Sequence, residues 1–134
     1  MAVPDFTRLL EEGRRALIEE DLSAFGDVLS RLSGYAGEMA DASAEAVRAQ
    51  LLYMANRYDE ALDATRRALS SDGRQVIAHE IEAQIYFFRN QLEEARQAAL
   101  RALETNPLGE LARSILDHIE RRRARLFGDA DKTG

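Results

Sequence analysis

One segment of this chain repeats itself at an offset of 34 residues. Asn56-Arg57-Tyr58-Asp59-Glu60-Ala61-Leu62 is answered by Asn90-Gln91-Leu92-Glu93-Glu94-Ala95-Arg96. Aligned without a gap, Ala42–Gln75 and Val76–Gly109 share 10 identities in 34 positions, and pairs such as Leu51/Ile85, Tyr53/Phe87 and Asp59/Glu93 keep their chemistry. A unit this short cannot bury its apolar face alone. It must stack on a neighbour of the same kind, so the fixed period selects a repeat architecture over an ordinary globular core.

The repeating unit is helical. Ala, Leu, Glu and Arg dominate, and alternating β-branched runs are missing. The two prolines, Pro4 and Pro107, stand where helices should open. A first helix from Pro4-Asp5 carries Phe6, Leu9, Leu10, Gly13, Ala16 and Leu17 at helical spacing. Asp21 should cap a second helix with the stripe Leu22, Phe25, Val28, Leu29 and Leu32. This pair reads as a diverged copy of the repeat, with Leu22 36 residues before Tyr58. The two extra residues are expected in a looser turn at Gly34 and Gly37.

Helices then run from Ala42 to Ala55, Tyr58 to Ser71, up to Arg89, and Leu92 to Thr105, with Asn56 and Asn90 turning the chain inside each pair. An exposed Asp63–Arg67 pair is expected at i,i+4, and a cap at Asp72 with Gln75 as its partner. Asn106-Pro107 should open a last helix whose stripe is Leu108, Leu111, Ala112, Ile115, Leu116 and Ile119. Its polar opposite side suits the open end of a stack. The fold class is therefore all-α. One domain over residues 1–127 is expected, with repeats at about 5–40, 42–75 and 76–107, a capping helix at 107–127 and a disordered tail at 128–134.

The spacing of small and large residues in these units resembles the tetratricopeptide repeat family. The matching residues are Ala49, Ala61 and Ala68 in one unit and Ala83, Tyr86, Ala95, Ala102 and Pro107 in the next. Glu45 and His79 depart from it, standing where a bulky aromatic usually opens the first helix. The resemblance implies a right-handed α-solenoid of three helix–turn–helix repeats plus a C-terminal capping helix. It also implies a concave groove, lined by the first helices, that holds a peptide or amphipathic helix of a partner protein. By position the groove would show Leu10, Arg14, Leu17, Gln50, Tyr53, Met54, Glu80, Gln84, Phe87 and Phe88, with His118, Arg121 and Arg122 at one rim. Packing against a flanking helix is the competing assignment for Tyr53, Met54, Phe87 and Phe88. Relatives that grip a chaperone's C-terminal carboxylate use Lys and Asn on these helices. Here the places hold Leu10, Arg14, Ala46, Gln50, Glu80 and Gln84, so such a clamp is not expected.

No chemistry competes with this reading. The chain has no cysteine, His79-Glu80 lacks a second histidine one turn on, and Ser70, Ser71 and Ser114 have no base beside them in sequence. No catalytic, metal or cofactor site is expected. The net charge of −6 argues against nucleic acid as a partner, and the run Arg121-Arg122-Arg123 with Arg125 fits the negative pole of a helix end. No spanning segment or secretory signal is visible, which makes the cytoplasm the expected location. The sequence thus reads as an adaptor or chaperone, similar in size to bacterial chaperones of this kind. A self-assembling homo-oligomer is the alternative, and nucleic-acid binding through the arginine-rich last helix is a third, less favoured reading.

Overall fold

The computed structural model describes residues 6–39 and 41–127. Seven helices follow in order: α1 (Thr7–Ile18), α2 (Leu22–Met39), α3 (Ala42–Met54), α4 (Tyr58–Ser71), α5 (Val76–Phe88), α6 (Leu92–Thr105) and α7 (Glu110–Phe127). Each helix packs on the next. In addition α1 touches α3, α3 touches α5 and α5 touches α7, whereas among the described residues α2 and α4 do not meet, nor do α4 and α6. The odd-numbered helices therefore form one continuous inner layer and the even-numbered helices splay outside it. That difference in spacing curves the stack and makes the odd layer concave.

The turn inside each pair is one structure used three times. Glu20, Asn56 and Asn90 sit in the left-handed region at φ 56°, 61° and 60°. In each turn the next amide reaches back to close it: Asp21 N–H to Ala16 O at 2.9 Å, Arg57 to Leu52 at 2.9 Å and Gln91 to Tyr86 at 2.8 Å. This is a Schellman closure, in which one left-handed residue lets the chain satisfy carbonyls that the helix end would leave free. The first pair, worn in sequence, keeps the geometry in full. Glutamate tolerates that conformation less well than asparagine. Glu20→Asn is expected to stabilise the protein by about 0.5–1 kcal/mol, read from chemical denaturation.

Alanine lets the pairs close. Ala49, Ala61, Ala64 and Ala68 are fully buried in the second pair, as are Ala83, Ala95 and Ala99 in the third, with Ala98 and Ala102 all but so. Leu51, Leu52 and Ile85 fill the space that these short side chains leave. Tyr86 packs between the two main core clusters.

Several local expectations are corrected. The two extra residues of the first pair do not make a loose turn, because α2 runs unbroken through Gly34 and Gly37 as an 18-residue helix. Leu22 opens α2 at 79% exposure rather than joining its buried stripe. Arg66, one residue earlier than expected, pairs with Asp63 at 3.0 Å, while the exposed Arg67 reaches to within 3.6 Å of Glu45. Asp72 bonds the Arg74 amide in a turn, and the side chain of Gln75 caps α5 by accepting from Ile77 N–H at 3.1 Å. Asn106-Pro107-Leu108 makes the corresponding turn, closed by Gly109 N–H to Asn106 O at 3.0 Å, so α7 begins at Glu110. Leu108 is consequently exposed. The expected start at Pro4-Asp5 and the tail at 128–134 lie outside the described residues.

Glu45 and His79, which replace the aromatics, are both buried. Glu45 is held by Arg48 at 3.4 Å and Arg67 at 3.6 Å. His79 Nε2–H donates to the Gly73 carbonyl at 3.0 Å, and Nδ1 lies 3.4 Å from Glu82. The Glu82 carboxylate above all, helped by the Gly73 carbonyl, raises the imidazole pKa above its ordinary value against the opposing effects of burial and Arg101. A base whose pKa is raised on folding adds stability that is complete below its unfolded pKa, about 6.5, and lost as pH rises through the folded value. The melting-temperature advantage of the native chain over His79→Gln should therefore shrink as pH rises above about 6.5.

Candidate partner-binding groove

Two adjoining hollows lie on the inner layer, where the large side chains of α3, α5 and α7 face one another. Gln50, Tyr53 and Met54 of α3 line the first with Ile77, Glu80, Ile81 and Gln84 of α5 and Leu111 of α7. Tyr53, Gln84 and Leu111 also line the second, which continues along Phe87, Phe88, Ser114, Ile115 and His118. Sharing three residues, the hollows make one groove across three helices.

The groove's floor is aromatic towards the ends of α3 and α5. The rings of Tyr53, Tyr58 and Phe88 stack with centroids 5.6–6.3 Å apart, within the range of favourable offset stacking. Phe88 is nevertheless 61% exposed, and Met54 and Leu111 are exposed beside it. Phe87 behaves differently. It is half-buried against the core of α5, α6 and α7. The Arg122 guanidinium lies 3.9 Å from its ring centroid and donates to the Phe87 carbonyl at 3.0 Å.

The polar groups are few and specific. His118 Nδ1 lies 2.7 Å from the Ser114 carbonyl, which can only accept, so Nδ1 carries the proton and Nε2 is left as an acceptor when the ring is neutral. Glu80 is half-buried, and that burial raises its carboxyl pKa above the usual carboxylate range. Burial, with the neighbouring Tyr58, also raises the Tyr53 hydroxyl.

Of the residues expected from sequence, Gln50, Tyr53, Met54, Glu80, Gln84, Phe87, Phe88 and His118 come together here. Leu10 and Leu17 instead pack half-buried on the core from α1, and Arg14 is exposed on the same helix; none of the three lines either hollow. Arg121 pairs with Asp117 at 2.8 Å, and Arg122 is occupied by Phe87. Ile77, Ile81, Leu111, Ser114 and Ile115 were not anticipated as lining residues. Ser114 stands one 34-residue period after Glu80, so extending the repeat register into the last helix would have found it, whereas Leu111 stands one period after Ile77, which was itself missed.

Among the described residues no group of three or more His, Asp or Glu side chains could hold a metal ion. No helix among them is long and apolar enough to cross a membrane. No family model and no curated protein matches the sequence. Solved structures do match. The Arabidopsis OM64 TPR domain superposes with TM-score 0.71 at 16% identity, over 85% of this chain and 93% of that one. The second TPR domain of human RPAP3, in complex with the HSP70 peptide SGPTIEEVD, gives TM-score 0.67 at 24% identity, over 84% and 92%. The first TPR of Spaghetti (RPAP3), bound to the HSP90 peptide SRMEEVD, gives 0.71 at 20% identity, over 87% and 90%. At these identities the likeness concerns architecture, and it is unambiguous there: this chain has the tetratricopeptide-repeat fold, three helix pairs closed by a terminal helix.

Proposed function

We propose that this protein is a non-enzymatic interaction module, an adaptor or chaperone, that holds a segment of a partner protein along the groove between α3, α5 and α7. The observation that carries the reading is the set of large apolar side chains left in solvent on the concave layer: Phe88, Met54 and Leu111 beside the stacked tyrosines. Exposed apolar surface of this kind, rimmed by polar groups, marks an interaction site. The two peptide complexes among the similar structures add that domains of this fold hold a partner's peptide.

Peptides selected from a random displayed library against the native protein provide the test. Their affinity should fall about tenfold or more for Phe88→Ala and for Tyr53→Ala, the cost of losing one interface anchor. Equal affinity for native and substituted protein would place the binding surface elsewhere.

A second reading rests on a separate observation. Ile18 and Leu22 flank the first turn at 82% and 79% exposure, 36 residues before Met54 and Tyr58, which flank the second. Two copies joined along that edge would cover them. Sedimentation velocity decides it, since a monomer at every concentration sinks the assembly.

A further inference from the structure

We propose that the segment this groove selects carries a lysine or arginine seated against Glu80 between apolar anchors; the proposal rests on the groove reading above. Glu80, on α5, lines the hollow shared with α3 together with the amides of Gln50 and Gln84 and the apolar side chains of Met54 and Leu111. It makes no hydrogen bond or ion pair with any described residue. A carboxylate taken half out of water without a partner is costly, and burial alone accounts for the upward shift of its pKa. A partner's cation would remove that cost on binding.

Among the described residues no arginine or lysine pairs with Glu80, and Arg14, exposed on α1, lines neither hollow. Arg122 is held by the ring and carbonyl of Phe87, Arg89 by Asp59 at 2.8 Å, and Arg48 by Glu45. Another groove acceptor, His118 Nε2, has no hydrogen-bond donor among the described residues. The whole chain, at a net charge of −6, attracts a basic segment over distance. A groove with these groups is opposite in sign to one that grips an acidic C-terminus.

The test uses three fluorescein-labelled amphipathic 16-residue helical peptides. They share leucines at i, i+3, i+4 and i+7 and differ at one central position facing the groove, which is lysine, norleucine or glutamate. Anisotropy titration should rank lysine above norleucine above glutamate, with about tenfold or more between the extremes. Glu80→Gln should bring the lysine and norleucine peptides to equal affinity, and Glu80→Lys should favour the glutamate peptide. Glu80→Gln should also melt no lower than the native protein, which excludes unfolding as the cause. Equal affinity of the native protein for all three peptides, with Phe88→Ala still weakening each, overturns the charge assignment and leaves the groove reading standing. No binding at all, or binding indifferent to Phe88→Ala, overturns both.

Discussion

Truncation of Leu51 to alanine is expected to lower the unfolding free energy by about 2–5 kcal/mol. Leu51 is fully buried, at the point where α1 crosses α3. Its methyl groups occupy the space that a side chain at Gly13 would need: a Cβ built there lies 2.6 and 2.7 Å from the two Leu51 Cδ atoms. The loosely matched first pair therefore docks through a glycine pressed against a leucine. A double-mutant cycle reads that contact directly. In the native background Gly13→Ala should destabilise, because overpacking of about 1–3 kcal/mol exceeds the gain of about 1 kcal/mol in helix propensity. With Leu51→Ala already in place the clash is gone, and the same change should stabilise. Chemical denaturation of the four proteins measures both signs.

The second large effect separates two adjacent phenylalanines. Phe87→Ala should cost about 2–4 kcal/mol, somewhat below the range for a fully buried ring. The ring is packed on the core of α5, α6 and α7, covered by Arg122 on one side and met edge-on by His118 at 6.1 Å. Phe88→Ala should cost less than about 1 kcal/mol, since most of that side chain is already in water. Arg122→Ala should follow Phe87, because it loses both the cation–π contact and the hydrogen bond to the Phe87 carbonyl. A melt in which Phe88→Ala proved the more damaging of the two phenylalanine changes would contradict this assignment of the pair.

These two residues also show what a sequence can and cannot convey. The period of 34 located the second and third helix pairs, the turns at Asn56 and Asn90 and the alanines at the pair interfaces, because each of those features is local or recurs. Phe87 and Phe88 sit at neighbouring positions of one helix, and their difference is made by Arg122, which is 35 residues away. No local pattern carries that information. Leu10, Arg14 and Leu17 were placed in the groove by position in the repeat, yet the groove opens between α3, α5 and α7, with α1 packed on its far side of α3. The caps failed for a related reason. Asp72 and Asn106 have the side chains of N-caps, but in each case the chain first makes a turn, and α5 and α7 begin four residues later.

Glu45 and His79 were legible as departures from the family pattern, and the reason they are tolerated was not. Each is buried because partners meet it there: two arginines for Glu45, and a carbonyl and a carboxylate for His79. Three of those partners, Arg48, Gly73 and Glu82, lie within six residues in the chain. Only the coordinates show that they converge.

A partner segment held in the groove would lie on the concave layer. Photo-crosslinking in the native cell tests it most directly, with benzoylphenylalanine placed at Met54 in the groove, Leu22 on the turn edge or Arg66 on the outer face. The account predicts a discrete adduct from position 54 and none from positions 22 and 66. Adducts from 22 or 66, with none from 54, would contradict it.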